Sequence, residues 1–343
     1  MTQEQWHTLL AVVDGTHAGP PPAGFIIDSP WLPNWAGMSI LDYLSSESRW
    51  FEANLQAVER FPDALFLPGF WAEYGMCTEP SAFGAKCIFP DNEFPFAERA
   101  CESIEQAATL PKPDPRTDGL APFVLKRLQH LEPRIVNAGH AIRFAVARGP
   151  LNIAGFLLGN TELLLALKMD PDASHSLLNT LTSYLEDWLK LQAAAFPSID
   201  GVLMLDDLVG FLGPDDFQEF AQPYLKRAFE AIDARVRFFH NDAEGLICAP
   251  FLAGTGINLF NFSHNHPLQA MREAAGEQVA LLGNIPPRDV LAQGTPDQVR
   301  QSVRELLESI TDTRGLILSC GGGMPPGVPA ENIDAFLEAA ADG

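Results

Sequence analysis

The chain has 343 residues, of which 47% are hydrophobic and 19% are charged, as in a folded globular protein. Its 22 Lys and Arg residues stand against 44 Asp and Glu residues, which gives a formal net charge of -22. This acidity argues against nucleic acid, an anionic membrane surface or a polyanionic small molecule as a ligand, because basic side chains dominate the binding of each of them.

The N-terminal region and the cysteines predict a cytoplasmic protein. The first basic residue is Arg49, so neither a secretory signal nor a transit peptide is expected. No apolar run reaches the roughly 18 residues of a membrane span. The five cysteines are odd in number and lack CxxC spacing, which is typical of reduced thiols.

In chain order, the sequence predicts a short N-terminal helix over 1–15, a rigid turn at 19–24, and then eight short apolar runs. Each run has the length of a buried strand. The runs are FIID (25–28), ALFLPG (64–69), IRFAVARG (142–149), VLMLDD (202–207), VRFFHND (236–242), INLFNFS (257–263), VALLGNIP (279–286) and GLILSCGG (315–322).

Helical patterns separate most of these runs, at 173–195, 213–234 and 295–310. Apolar strands that alternate with helices indicate a parallel sheet covered by helices, and eight such units predict a single (β/α)₈ TIM barrel over 1–343. A doubly wound α/β sheet is the alternative. It is disfavoured because no glycine-rich phosphate turn follows the first strand.

The segment from about 70 to 140 is too long for an ordinary connection in a barrel. It contains PKPDPRTDG (111–119), whose prolines exclude regular structure. We therefore predict an insertion between strands 2 and 3 that forms a lid over the barrel mouth, in addition to the N-terminal extension.

Polar side chains end nearly every predicted strand, which is where barrel enzymes carry their catalytic groups. These residues are Asp28, Arg148, Asp206, Asp207, His240, Asp242, Asn261, Ser263, His264, Asn284 and Cys320.

His240, Asp242 and Cys320 form the sharpest set among them. His240 and Asp242 are two apart in a strand, so their side chains point to the same face. With a thiolate from Cys320 at the end of the eighth strand, they make a plausible zinc site with a fourth position open. The alternative is that His240 and Asp242 only hydrogen-bond each other and that Cys320 is an apolar filler.

Aromatic side chains are dense in 66–96 and recur in SPWLPNWAG (29–37). They could form the wall of a pocket for a flat or apolar ligand, or they could pack the lid onto the barrel. The ones that we consider for a pocket are Trp31, Trp35, Phe70, Trp71 and Tyr74.

Several stretches of residues 140–340 together resemble the uroporphyrinogen decarboxylase superfamily, whose members are single (β/α)₈ barrels. The stretches are ARGPLNIAGFLLGNTELL (147–164), LDDLVGFLGPDDFQEFAQPYLKR (205–227), FHNDAEG (239–245), LLGNIPPRDVLAQGTPDQV (281–299) and LSCGGGMPPGVPAENIDAF (318–336).

The resemblance implies one of two activities. The decarboxylases of the superfamily use an N-terminal arginine-rich motif of RQAGR type, which this sequence lacks. The corrinoid-dependent methyltransferases carry zinc on a His-x-Cys pair and a Cys of the last strand. His240 and Cys320 match the outer positions of that pattern, and Asp242 replaces the middle Cys.

The resemblance therefore implies a zinc-dependent methyltransferase that moves a methyl group between a small donor and a corrinoid (cobalamin). The aromatic residues Trp31, Trp35, Phe70 and Trp71 suggest a methoxylated aromatic compound as the donor. The sequence has no DxHxxG stretch, so we expect a partner protein to carry the corrinoid. The alternatives are a cofactor-independent decarboxylase of a tetrapyrrole and a non-catalytic corrinoid-binding barrel.

In this hypothesis, the residue roles divide into three groups. His240, Asp242 and Cys320 hold the zinc, and Glu79, Asp206 and Asn284 support catalysis by hydrogen bonding or protonation. The expected substrate-binding residues are Trp31, Trp35, Phe70, Trp71, Tyr74, Arg148 and His264.

Overall fold

The computed structural model describes residues 1–28 and 30–342. Within them, each of the eight apolar runs forms a parallel strand, and a short antiparallel hairpin adds two more strands. The strands are β1 (Gly24–Ile26), β2 (Leu65–Leu67), β3 (Cys87–Ile88), β4 (Phe96–Ala97), β5 (Phe144–Arg148), β6 (Gly201–Leu205), β7 (Val236–Asn241), β8 (Leu259–Phe262), β9 (Ala280–Ile285) and β10 (Leu316–Cys320).

The parallel strands follow chain order around a barrel. β5 to β10 form a six-stranded parallel sheet in sequential order, and β1 pairs in parallel with β2. A bridge between Ala23 and Leu318 joins the start of β1 to β10. Among the described residues, no ladder of hydrogen bonds joins β2 to β5. The arrangement confirms the predicted α/β barrel.

Helices cover the outside of the barrel and one of its ends. They are α1 (Gln3–Val13), α2 (Leu32–Trp35), α3 (Ile40–Ser45), α4 (Glu47–Arg60), α5 (Ile104–Ala108), α6 (Ala121–Asn137), α7 (Pro150–Leu158), α8 (Asn160–Met169), α9 (Pro171–Ala195), α10 (Pro214–Asp216), α11 (Gln222–Phe229), α12 (Gly245–Cys248), α13 (Leu252–Thr255), α14 (Leu268–Ala275), α15 (Pro296–Glu308) and α16 (Ala330–Ala341).

The helix boundaries follow local capping chemistry. The side chain of Asp170 accepts a hydrogen bond from the Ala173 backbone at the start of α9, and Thr295 forms a capping box with Gln298 at the start of α15. Both helices match their predictions closely.

The predicted helix over 213–234 is interrupted. α10 passes into a π-helical turn at Phe217–Ala221, and α11 then ends at Phe229. Pro223 explains the interruption, because it has no N–H to continue the hydrogen-bond pattern of the preceding turns.

An apolar cluster inside the barrel stabilises it. Alternate strand residues such as Phe144 and Leu203 point inward and form a cluster with Trp6 and Leu9 of α1. Trp6 meets the ring of Phe144 edge-on, with centroids 5.6 Å apart. Because Phe144 begins its strand, α1 closes the N-terminal end of the barrel, and the C-terminal end remains for the polar strand ends.

The segment between β2 and β5 contains a 3₁₀ turn at Pro80–Phe83, the β3–β4 hairpin, α5 and α6. The proline-rich stretch 111–119 forms no helix or strand, as predicted. Glu73 and Glu79 from this segment contact Arg148 at the end of β5, so this part of the segment lies at the barrel mouth.

No single helix in 1–28 and 30–342 is both long and apolar enough to cross a membrane. α7 and α8 reach that length and composition only as a pair, and the pair is bent by 108°.

Candidate functional site

Three potential metal ligands meet at the C-terminal ends of β6 and β7. Donor atoms of Asp207, His240 and Asp242, which we call the His240 cluster, lie within 4.8 Å of one another. His240 Nε2 is 3.6 Å from Asp207 Oδ1, and the Asp242 backbone N–H donates to the same oxygen at 3.1 Å.

Strand register explains why these three residues meet. Leu205 of β6 pairs with His240 of β7, and the Asp206 backbone N–H continues the ladder by donating to the His240 carbonyl. Asp207 follows directly and begins a 3₁₀ turn at Asp207–Phe211, so its carboxylate stays beside the imidazole.

Asn261 fixes the orientation of the His240 ring. Its Oδ1 lies 2.7 Å from His240 Nδ1, and its Nδ2 donates to the Leu282 carbonyl at 2.8 Å. Because the amide nitrogen is already a donor, Oδ1 must accept, so Nδ1 carries a proton, and Nε2 is the ring nitrogen that can act as a ligand. A histidine held in this way, with Nε2 directed toward two carboxylates, is a common arrangement for a metal ligand.

Cys320 does not belong to this cluster, although the sequence predicted it as the third ligand. Its side chain is fully buried, and its Sγ lies 3.8 Å from the carbonyl oxygens of Gly322 and Gly323. Burial raises the pKa of this thiol to about 12, so it is protonated at neutral pH. The structure groups His240 and Asp242 as predicted and places Asp207 beside them.

Asp206, predicted as a catalytic group, caps α7. Its carboxylate is fully buried and accepts hydrogen bonds from the backbone N–H groups of Leu151, at 2.9 Å, and Asn152, at 3.0 Å. Burial raises its pKa well above the usual range for aspartate. Both oxygens therefore have partners in the first turn of α7.

Asn284, also predicted as catalytic, holds the loop after β8. Its Nδ2 donates to the carbonyl oxygens of Ser263, at 3.2 Å, and His266, at 2.7 Å. His264 lies on the same loop with its side chain exposed.

A second group of charges lies beside the His240 cluster. Arg148 and Glu73 form a buried ion pair of 2.9 Å, and the Arg148 backbone N–H donates to Glu79 Oε1 at 3.1 Å. We call Glu73, Glu79 and Arg148 the Arg148 cluster. Burial raises the pKa of Glu73 to about 8, although Arg148 lowers it, and burial also raises the pKa of Glu79.

Asp28, two residues after β1, adds a partly buried carboxyl to this end of the barrel. Burial raises its pKa to about 6, while Arg148 and His240 lower it. Several carboxyl groups thus share the single guanidinium of Arg148.

The predicted aromatic residues do not form one surface. Trp31 is fully buried, stacks on Trp35 with centroids 5.1 Å apart, and donates its indole N–H to the Val328 carbonyl. Phe70 is buried against Phe51, with centroids 5.7 Å apart.

The other two predicted aromatics differ from each other: one lies inside the barrel, and the other is partly buried against the outer core. Trp71 belongs to the cluster inside the barrel, and Tyr74 faces Phe89 and the guanidinium of Arg127.

Two residues of the site were not assigned a role from the sequence. Asp207 stands at a strand end like Asp206, but only the side-chain directions show that Asp206 points to α7 and Asp207 to His240. Glu73 has no strand pattern of its own, and only its position in the aromatic segment could have drawn attention to it.

Comparison with known sequences connects almost the whole chain to one family. The family model for uroporphyrinogen decarboxylase (URO-D) matches residues 31–342. A protein named uroporphyrinogen decarboxylase from Pseudoalteromonas translucida is 26% identical over 302 residues, covering 84% of this chain and 81% of its own length. One of the same name from Chloroherpeton thalassium is 29% identical over 176 residues, covering 49% of this chain and 48% of its own.

Comparison with solved structures shows the same fold in methyl-transfer enzymes. A methyltransferase from Methanosarcina mazei has a TM-score of 0.82 and 18% identity, with 98% of each chain covered. A B12-independent methionine synthase from Shewanella sp. W3-18-1 has a TM-score of 0.56 and 12% identity, covering 94% of this chain and 96% of its own. At these identities, the likeness establishes the barrel fold.

Proposed function

This chain belongs to the uroporphyrinogen decarboxylase family, and we propose that within it the protein is a zinc-dependent methyltransferase. In this proposal it moves a methyl group between a small donor and a corrinoid carried by a partner protein. The observation that carries the proposal is the His240 cluster, with Nε2 of His240 directed at two carboxylates.

The residues of this cluster fit a divalent metal ion. Imidazole nitrogen and carboxylate oxygen are both competent zinc ligands, and three protein ligands leave a position for substrate. We propose that His240, Asp242 and Asp207 hold the ion. Zinc at this position would supply Lewis acidity to the heteroatom that gives or receives the methyl group.

The neighbouring residues prepare the site. Asn261 keeps the proton of His240 on Nδ1, so that Nε2 stays available as a ligand. Asp206 ties the end of β6 to α7 and thereby fixes the backbone that carries Asp207. Asn284 holds the loop of His264 at the rim.

The second candidate is decarboxylation of a tetrapyrrole, which is favoured by the names of the curated relatives at 25–29% identity. The charges at the barrel mouth argue against it. Uroporphyrinogen carries eight carboxylates, whereas Asp28, Glu73 and Glu79 surround Arg148 here. An anionic substrate would therefore meet a guanidinium that is already shared among three carboxyl groups.

Metal analysis of wild-type protein beside two matched variants tests the ligand set. We expect about one zinc per chain in the wild type and in Cys320→Ser, and a loss of at least tenfold in zinc affinity in Asp207→Asn, because one of the three ligands is removed. Zinc lost from Cys320→Ser but retained in Asp207→Asn would contradict the ligand assignment.

Activity tests the reaction itself. The zinc-loaded protein should methylate a reduced corrinoid from one member of a panel of methoxylated aromatics and methylamines, and His240→Ala should lose that activity. Decarboxylation of uroporphyrinogen by chelator-treated protein, without methyl transfer, would establish the second candidate instead.

A further inference from the structure

A small closed cavity lies within the Arg148 cluster, between the segment after β2, the end of β5 and α9. It is lined by Glu73, Glu79, Arg148 and Trp188, with apolar side chains around them. Its volume of about 10 Å³, counted as space for the centre of a water-sized sphere, is about the size of one water molecule.

Four polar atoms of the lining residues have no partner in the protein. They are Glu73 Oε1, Glu79 Oε2, Arg148 Nε and Trp188 Nε1. Each of the four residues is more than nine-tenths buried. Leaving such groups unpaired costs about 1–3 kcal/mol each, which points to a ligand that satisfies all of them at once.

The donor and acceptor count identifies that ligand. Arg148 Nε–H and Trp188 Nε1–H can only donate. The Glu73 and Glu79 oxygens can only accept once both carboxyl groups are ionised, which for Glu73 requires a pH above its pKa of about 8. A metal or ammonium cation would meet the two N–H donors, and an anion would meet the two carboxylates. A water molecule accepts two hydrogen bonds and donates two, so it matches the four atoms.

We propose that this cavity is a binding site for one ordered water molecule, which bridges Glu73, Glu79, Arg148 and Trp188. The water completes the partners of both carboxylates, because Glu73 Oε2 already accepts from Arg148 Nη2 and Glu79 Oε1 from the Arg148 backbone. It thereby locks the Arg148 side chain at the end of β5. This inference does not depend on the proposed methyl transfer.

Nuclear magnetic resonance of the full ¹⁵N-labelled chain tests the proposal in solution, at a pH above the Glu73 pKa of about 8 so that both carboxylates accept. We expect a rotating-frame Overhauser cross-peak between water and the indole N–H of Trp188. Trp31 is an internal control, because its buried indole N–H already donates to the Val328 carbonyl at 3.1 Å and Trp31 does not line this cavity. Trp188→Phe and Trp31→Phe assign the two indole signals.

The outcomes are decisive in either direction. A water cross-peak at Trp188 and none at Trp31 supports the site. A cross-peak at neither indole, or of equal strength at both, overturns it. As a second measurement, the Glu79→Gln variant replaces one acceptor in the cavity by a donor. We expect the cross-peak between water and Trp188 to weaken at least twofold in this variant. An unchanged cross-peak would also overturn the assignment.

Discussion

Asp206 and Asp207 are the two residues directly after β6, and their side chains make different contacts. The carboxylate of Asp206 is fully buried and accepts two backbone N–H groups of α7, whereas that of Asp207 is partly exposed and faces His240. The helix dipole and the two N–H donors favour the ionised form of Asp206, but burial has the larger effect and raises its pKa. A residue with both oxygens engaged in this way is a positioning group.

We predict that Asp206→Ala lowers the free energy of unfolding by about 2–3 kcal/mol, because it removes a buried cap and leaves two N–H donors without partners. Urea unfolding followed by circular dichroism measures the change. Asp215→Ala, at an exposed position in α10, is the control and should stay within about 0.5 kcal/mol of wild type. Equal stability of the two variants would show that the cap contributes little.

His140 gives the molecule a pH dependence with a defined sign. Its ring packs edge-on against Phe70, with centroids 5.4 Å apart, and its Nδ1 is buried without a partner. Burial lowers the pKa of His140 to about 4 from the ordinary value of 6.5. Between these values the unfolded chain binds the proton more readily, so stability is complete above pH 6.5 and is lost as the pH falls toward 4.

We predict that His140→Gln reduces this loss. Because His140 is only half-buried, solvent screening limits the effect to about 1 kcal/mol between pH 7 and pH 4.5. Other groups titrate in the same range, so the difference between the unfolding free energies of wild type and variant is the relevant quantity. A difference that does not change with pH would contradict the assignment.

At the scale of elements, two loops meet at the barrel mouth through a glycine. Gly321 follows β10 and donates its N–H to the Ile285 carbonyl. A Cβ at this position would lie 2.3 Å from the backbone nitrogen of His264 and 2.8 Å from its Cα. Backbone atoms on the neighbouring loop cannot move aside as a flexible side chain would, so the close approach of these two loops requires glycine.

We predict that Gly321→Ala destabilises the protein by about 2–3 kcal/mol through this overlap. Gly323→Ala is the matched control two residues later, where the nearest atom to an added Cβ is Ile26 O at 3.9 Å. It should change stability by less than about 1 kcal/mol. Thermal unfolding of the two variants side by side distinguishes them, and similar losses in both would refute the packing argument.

The elements that could be predicted are those whose structure is determined by the residues of one short stretch of sequence. Apolar runs of strand length between the helices predicted all eight barrel strands. The strands β3 and β4 have two residues each, which is too short for a detectable alternation of apolar and polar residues. For the site, the strand-end rule placed His240 and Asp242 correctly at the mouth. It could not separate Asp206 from Asp207, or show that Cys320 faces its own loop, because those outcomes depend on side-chain directions set by tertiary packing.

At the scale of the whole molecule, charge is the dominant feature. The net charge of -22 puts like charges close together over the surface, and their repulsion is relieved when the chain unfolds. Ion pairs oppose this effect, but many of them, such as Arg116–Asp114 and Arg314–Asp312, are at the surface. Pairs of that kind contribute little, because water and salt screen them.

These two effects respond to salt in opposite directions, because screening weakens both repulsion and attraction. With 22 uncompensated negative charges, repulsion should dominate, so we predict that the thermal midpoint rises by a few degrees as sodium chloride is raised from about 0.02 to about 0.2 M. Calorimetry of metal-free protein measures it, with sucrose at equal osmolality as the uncharged control. A midpoint that falls with salt would mean that the surface ion pairs outweigh the repulsion. A midpoint that rises equally in sucrose would mean that solvent exclusion, rather than screening, is the cause.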